Sequence, residues 1–141
     1  MLKGIDPLLS GALLKMLDEL GHGDQLVIAD RNFPSYSRGA PVVRVDCTSI
    51  VEVFDAILSV FPLDLSVEQP LERMGPQDDP SQTNDMQLAV LETARRHDGR
   101  PLEFNVVRRF DFYERAARAQ AIVHTLETQP FGVFMLTKGV V

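Results

Sequence analysis

Apolar residues along this chain switch repeatedly between helical spacing and short unbroken runs, and that alternation constrains the fold more than any single residue does. Leu8, Leu9, Ala12, Leu13, Met16, Leu17 and Leu20 recur at the spacing of one helical face. Asp6-Pro7 reads as the cap of that helix and Gly21 as its left-handed end. Gln25 to Ala29 is then a short apolar run suited to a buried strand, ended by Asp30-Arg31-Asn32. Asn32 to Pro41 reads as a loop and Val42 to Val45 as a second strand; Ser49 to Phe61 returns to helical spacing, with Pro62 as its stop. Leu63 to Met74 is ambiguous between loop and a short strand, and Gly75 to Ser81 is the most loop-like stretch. Asn84 to His97 reads as a helix, Leu102 to Val107 as a strand, Phe110 to Gln120 as a helix, and Ala121 to Leu126 and Phe131 to Thr137 as strands. Such alternation predicts an α/β fold, a mixed or mostly parallel sheet flanked by helices.

The chain has 141 residues, 45% of them apolar, enough for one core without cross-links, so residues 1–141 are expected to form a single domain. The only cysteine, Cys47, cannot close an internal bridge, which suits a reducing compartment. The start of the chain lacks the apolar run of a signal peptide, and no stretch has membrane-spanning length. A cytoplasmic protein with no membrane partner is therefore expected. The net charge of -6 argues against a nucleic-acid partner, since phosphate backbones are met by basic surfaces.

Few residues offer chemistry. Gly21-His22-Gly23-Asp24 places a histidine between two glycines at a helix-to-strand turn, with room for a ligand and a proton exchangeable near neutral pH. The same tetrapeptide also serves as a plain turn with His22 an exposed bystander. Asp30 directly follows a buried strand, where α/β folds place ligands, although an aspartate there is equally a turn residue. Asp64, after Pro62-Leu63, is a second carboxylate in a setting that also suits a turn. Arg109 and Tyr113 stand four apart, on one helical face if the helix starts early enough, and guanidinium and phenol both bond hydroxyl groups. Their alternative is a structural one, with the arginines paired to Glu114 and its neighbours and the aromatics in the core. His97 sits in a turn and His124 in a strand, where it reads as structural. No phosphate loop, nucleophile elbow or metal-ligand spacing occurs, which leaves acid/base work by His, Asp and Tyr.

Taken together, Leu2-Lys3-Gly4-Ile5, Gly21-His22-Gly23-Asp24, Ala29-Asp30-Arg31-Asn32-Phe33-Pro34, Pro62-Leu63-Asp64, Arg109-Phe110-Asp111-Phe112-Tyr113-Glu114-Arg115-Ala116 and Lys138-Gly139-Val140 form a recognisable set. In order and separation it resembles the L-fucose mutarotase and D-ribose pyranase family over essentially the whole chain. The resemblance implies a ring-like homo-oligomer, typically a decamer, with sites near subunit interfaces. It also implies an isomerase reaction on a free monosaccharide without metal or other cofactor. Matched position by position, His22 takes the place of the proton donor, and Asp30 and Arg109 those of substrate-binding residues. Asp64 and Tyr113 match positions implicated in fucose mutarotation.

Phe131-Gly132-Val133 falls where the family usually has Tyr-Gly-Asn, so a phenol hydroxyl and an amide are missing from a substrate-binding segment. Arg109, where ribose pyranases tend to have histidine, favours the fucose branch. Interconversion of α and β anomers, with L-fucose as substrate, is therefore the expected function. A sugar-binding or regulatory protein without turnover and a pyranose-to-furanose isomerase acting on ribose are the alternatives. The expected mechanism has His22 as acid, Asp30 positioning it or the sugar, and Asp64 or Tyr113 acting on the anomeric hydroxyl.

Overall fold

The computed structural model describes residues 2–141, in which four helices and six strands alternate. In chain order they are α1 (Gly11–Glu19), β1 (Gln25–Ala29), β2 (Val42–Arg44), α2 (Ile50–Leu58), β3 (Leu71–Gly75), α3 (Asp85–Asp98), β4 (Asn105–Arg108), α4 (Arg109–Ala116), β5 (Ala121–His124) and β6 (Val133–Thr137). A short 3-10 turn, Ser35–Ser37, lies between β1 and β2. The strands form one sheet in the order β2-β5-β1-β6-β3-β4. β1 with β5, β2 with β5 and β3 with β4 pair parallel, whereas β6 runs antiparallel to both β1 and β3. Five strands thus point one way and β6 alone runs back, so the sheet is mixed, as the alternating pattern predicts.

Side-chain alternation along β1 divides the core. Leu26 and Ile28 point to one face, with Leu13 of α1, Phe54 of α2 and Val90 of α3. Val27 and Ala29 point to the other, with Phe33 and with Phe112 and Ala116 of α4. Both faces are covered, which is why the sheet strands read as continuous apolar runs.

Several expected boundaries move. α1 is capped by Ser10, whose hydroxyl accepts from the Leu13 N–H at 3.2 Å. Asp6 instead closes its own turn by accepting from the Leu8 N–H at 2.8 Å. Gly21 does not take the left-handed conformation; α1 ends in an extended Leu20, and Gly23, at φ 85°, makes the turn. α4 stops at Ala116 rather than Gln120, because the Gln120 side chain turns to accept from the Gln25 N–H at 2.7 Å. β4 starts at Asn105 rather than Leu102 and β6 at Val133 rather than Phe131, whose φ of 60° is incompatible with a strand. β5 ends at His124 and β2 at Arg44. The ambiguous stretch from Leu63 contains an isolated bridge, Leu63 with Lys138, and then β3. Among the described residues no helix is long and apolar enough to cross a membrane.

Candidate active site

The eight residues singled out in the sequence gather at two opposite ends of the sheet. At the carboxyl end of the parallel strands, Asp30, Arg109, Tyr113, Phe131 and Val133 line a cavity of about 200 Å³ together with Asn32, Phe33, Met74 and Pro130. This is the place where α/β sheets bind ligands. Asp30 is 6% exposed. Its Oδ1 accepts from the N–H groups of Asn32 (2.9 Å) and Phe33 (3.0 Å), and its Oδ2 from the Gly132 N–H (3.1 Å). Burial pushes the Asp30 carboxyl above the usual aspartate value, with the three N–H groups pulling against it.

Arg109 is the first residue of α4, so the four-residue spacing does place it beside Tyr113. Its Nε donates to the Tyr113 hydroxyl at 3.0 Å, and its guanidinium lies 5.5 Å from that ring and 5.8 Å from Phe110. It therefore stands clear of the ion pair with Glu114 that the structural alternative requires. Arg115 is the arginine of this helix that pairs, with Glu72 at 2.7 Å. Gly132 is tightly enclosed; a Cβ there would lie 3.2 Å from Asp30 Cβ and 3.3 Å from Glu127 Cγ.

At the amino end of the same strands, His22 and Asp64 meet. His22 Nε2 lies 3.2 Å from Asp64 Oδ2, with the histidine side chain 53% exposed and the aspartate 6%. The other Asp64 oxygen accepts from the Ser66 N–H at 2.8 Å and from its hydroxyl at 2.7 Å. The Ser66 hydroxyl, then the Ser66 N–H, and after them His22 hold the Asp64 carboxyl below the usual aspartate value. The Asp64 N–H is tied to the Thr137 carbonyl, and the Gly23 N–H to the Lys138 carbonyl, both at 3.0 Å or less, so the end of β6 fixes the pair. Such a histidine, oriented by a carboxylate and open to solvent, can exchange a proton with a bound molecule.

Strand β1, five residues long, separates the two groups. At the rise of an extended strand, His22 and Asp30 are about 20 Å apart. Within one chain Asp30 is therefore too far to position His22, the first of the two roles the sequence offered it, and the second, positioning the sugar, is the one this distance allows. The remaining histidines are engaged elsewhere: His97 Nε2 is 2.6 Å from Asp55 Oδ1, and His124 Nδ1 is 2.8 Å from the Ser35 hydroxyl. Burial, reinforced by Arg44, holds His124 below the usual histidine value.

Two residues that shape the cavity gave no sequence signal. Glu127 accepts from the N–H groups of Thr128 and Gln129 through one oxygen and from the Ile50 N–H through the other. Gln87 donates to carbonyls behind the cavity wall. Both sit in segments that look like an ordinary loop and an ordinary helix start. Among the described residues no group of three or more His, Cys, Asp or Glu side chains is arranged to hold a metal.

Comparison with known proteins agrees with this architecture. The chain is 39% identical to the L-fucose mutarotase of Actinobacillus pleuropneumoniae serotype 5b (strain L20), covering 99% of this chain and 97% of that protein. The solved fucose mutarotase of Streptococcus pneumoniae, in complex with L-fucose, superposes with a TM-score of 0.85 at 38% identity over 99% of both chains. FucU of Bifidobacterium longum superposes with a TM-score of 0.92 at 39% identity, again over 99% of both. Residues 3–141 match the RbsD / FucU transport protein family, and the chain belongs to that family.

Proposed function

We propose that this protein is a mutarotase that interconverts the α and β anomers of a free monosaccharide, L-fucose, by general acid/base catalysis. The observation that carries the reading is the pairing of an oriented, solvent-open His22–Asp64 couple with a cavity lined by hydroxyl-binding groups. Full-length relatives named L-fucose mutarotase support it. Anomer exchange needs one proton delivered to the ring oxygen and one removed from the anomeric hydroxyl. The ring then opens to an aldehyde, C1 rotates, and the ring recloses on the other face. Arg109 and Tyr113 hold sugar hydroxyls. Phe33, Met74, Phe131 and Val133 give the cavity an apolar wall, which suits fucose, a 6-deoxy sugar whose methyl group has no hydroxyl to satisfy.

Since about 20 Å of strand separates His22 from Asp30, no single chain presents both to one pyranose. The working site therefore joins the His22–Asp64 end of one copy to the Asp30–Arg109–Tyr113 end of the next. That contact is head-to-tail, a type that closes into rings, and a ring-like homo-oligomer, a decamer, is the assembly we infer. His22 is the proton donor, Asp64 orients it, and Tyr113 of the neighbouring copy acts on the anomeric hydroxyl. No metal or cofactor is required, and a cytoplasmic setting suits a free-sugar isomerase with a single unpaired cysteine.

Saturation-transfer NMR on L-fucose tests this directly. The wild type should accelerate exchange between anomers, and His22→Gln should lose roughly 10²- to 10⁴-fold of that acceleration while the assembly stays intact. Exchange undiminished in His22→Gln, or absent in the wild type, would refute the assignment.

A further inference from the structure

The cavity opens where two strands part. β3 and β6 pair from Leu71 with Leu136 to Arg73 with Phe134 and then separate. On its other side β6 stays paired to β1 through Val133, and β3 stays paired to β4 through Gly75. The missing rung, Met74 opposite Val133, coincides with two residues of the cavity wall. A split of this kind leaves backbone carbonyls without partners, a costly condition in a buried place.

Gln87, 1% exposed in the first turn of α3, fills the split. Its Nε2 donates to the Met74 carbonyl at 3.2 Å and to the Phe131 carbonyl at 3.0 Å. Its Oε1 accepts from the Asn84 N–H and the Thr83 hydroxyl, each at 3.2 Å. Chemistry fixes the orientation of this amide, because only its oxygen can accept from an N–H and only its nitrogen can donate to two carbonyls. Asn84 adds a third tie, its Nδ2 donating to the Pro130 carbonyl at 3.1 Å. The segment so held carries Phe131 at a positive φ of 60°, a conformation that a non-glycine residue keeps only under constraint.

The capping box of α3 does not by itself account for glutamine here. A glutamate serves such a box equally well, but only an amide can cap the helix and donate to both carbonyls at once. We propose that Gln87 is a positioning residue for the sugar cavity: its amide replaces the missing rung between β3 and β6 and sets the width of the gap against which the sugar binds. It holds the Met74 and Phe131 wall and bonds to none of His22, Asp64 and Tyr113, so its effect falls on sugar affinity more than on proton transfer. This inference rests on the mutarotase reading for its kinetic consequence but not for its structural one.

The test uses the full chain with Gln87→Glu and Gln87→Met. Gln87→Glu keeps the cap and removes both donated bonds. In fucose exchange it should raise KM by roughly tenfold with kcat within about twofold, and KM should recover as pH falls, since a protonated glutamic acid regains one donor. Gln87→Met should raise KM at every pH. Backbone hydrogen exchange supplies a readout that needs no sugar: the Gly132 and Val133 amides should exchange faster in Gln87→Glu while those of Val90 and Leu91 in α3 do not. An unchanged KM in an active Gln87→Glu, a fall in kcat at constant KM, or acceleration of the α3 amides together with Gly132 would overturn the proposal. A wild type inactive on fucose but with the selective exchange pattern would refute the mutarotase reading and leave the bridging role standing.

Discussion

Asp30 and Asp64 are both buried aspartates on turns, yet the two ends of the sheet use them differently. Asp30 spends both oxygens on three backbone N–H groups, and through Gly132 it ties the start of β6 to the end of β1. Asp64 closes a local turn with Ser66 and offers its second oxygen to a histidine that is half in solvent. The Asp30 carboxylate thus ties distant strands together, whereas the Asp64 carboxylate serves a local turn and a histidine open to solvent. A shape that must hold a sugar is built from groups whose loss disturbs the core. His22, with its side chain 53% exposed, can be replaced with little effect on the packing around it.

Alanine at each aspartate should separate the two ends most sharply. Asp30→Ala removes the side-chain acceptor of three backbone N–H groups; Phe33 keeps the Asp30 carbonyl at 3.3 Å, but the buried Gly132 N–H loses its acceptor, at about 1–3 kcal/mol for such a group. A loss in melting temperature on the order of 10 °C should follow. Asp64→Ala should give a clearly smaller thermal shift but a comparable loss of fucose exchange. Equal thermal losses in differential scanning calorimetry would erase the distinction.

Titration sharpens the same contrast with opposite signs. Burial raises the Asp30 value and the Ser66 contacts lower that of Asp64. Carboxyl-carbon NMR should find Asp30 titrating above 3.8 and Asp64 below it. By linkage, the stabilisation from Asp64 is present above the unfolded value and is lost as pH falls through its lower folded value. For Asp30 the ionised form is the penalised one in the folded state, and that penalty lifts as pH falls through its raised folded value. Coincident titration of the two carbons would contradict the assigned environments.

Much of the architecture was legible because it is local. Periodicity located β1, α2 and α3 to within a few residues, and the spacing of Arg109 and Tyr113 anticipated their shared helical face. Boundaries failed where a side chain far along the chain, such as Gln120 reaching Gln25, decided the matter. The same is true of the site. Gln87 meets Phe131 across 44 positions and Glu127 meets Ile50 across 77, and no local pattern announces either. The separation of His22 from Asp30 was legible in principle, since a five-residue strand between them already sets the distance. That distance leaves Asp30, within one chain, the second of the two roles the sequence offered it, positioning the sugar rather than His22.

The smallest expected effect concerns Phe131. Its ring already lines the cavity, and Phe131→Tyr adds a hydroxyl that can meet one sugar oxygen, a gain of roughly three- to tenfold in affinity for fucose. Val133, only 2% exposed and packed in the second core, is a poor place for the matching Val133→Asn. Weaker fucose turnover in an intact Phe131→Tyr assembly would mean that the pocket fits another sugar.

Complementation between two inactive variants tests most directly the claim that the two ends meet across copies. His22→Gln and Arg109→Ala should each be inactive when assembled alone. After unfolding together in equal amounts and refolding, a site shared between neighbours pairs an intact His22 with an intact Arg109 in about one quarter of cases, because each site draws its two ends from different copies. Recovery of about a quarter of wild-type fucose exchange is the predicted result. No recovery, in mixed assemblies shown by mass spectrometry to contain both variants, would contradict it.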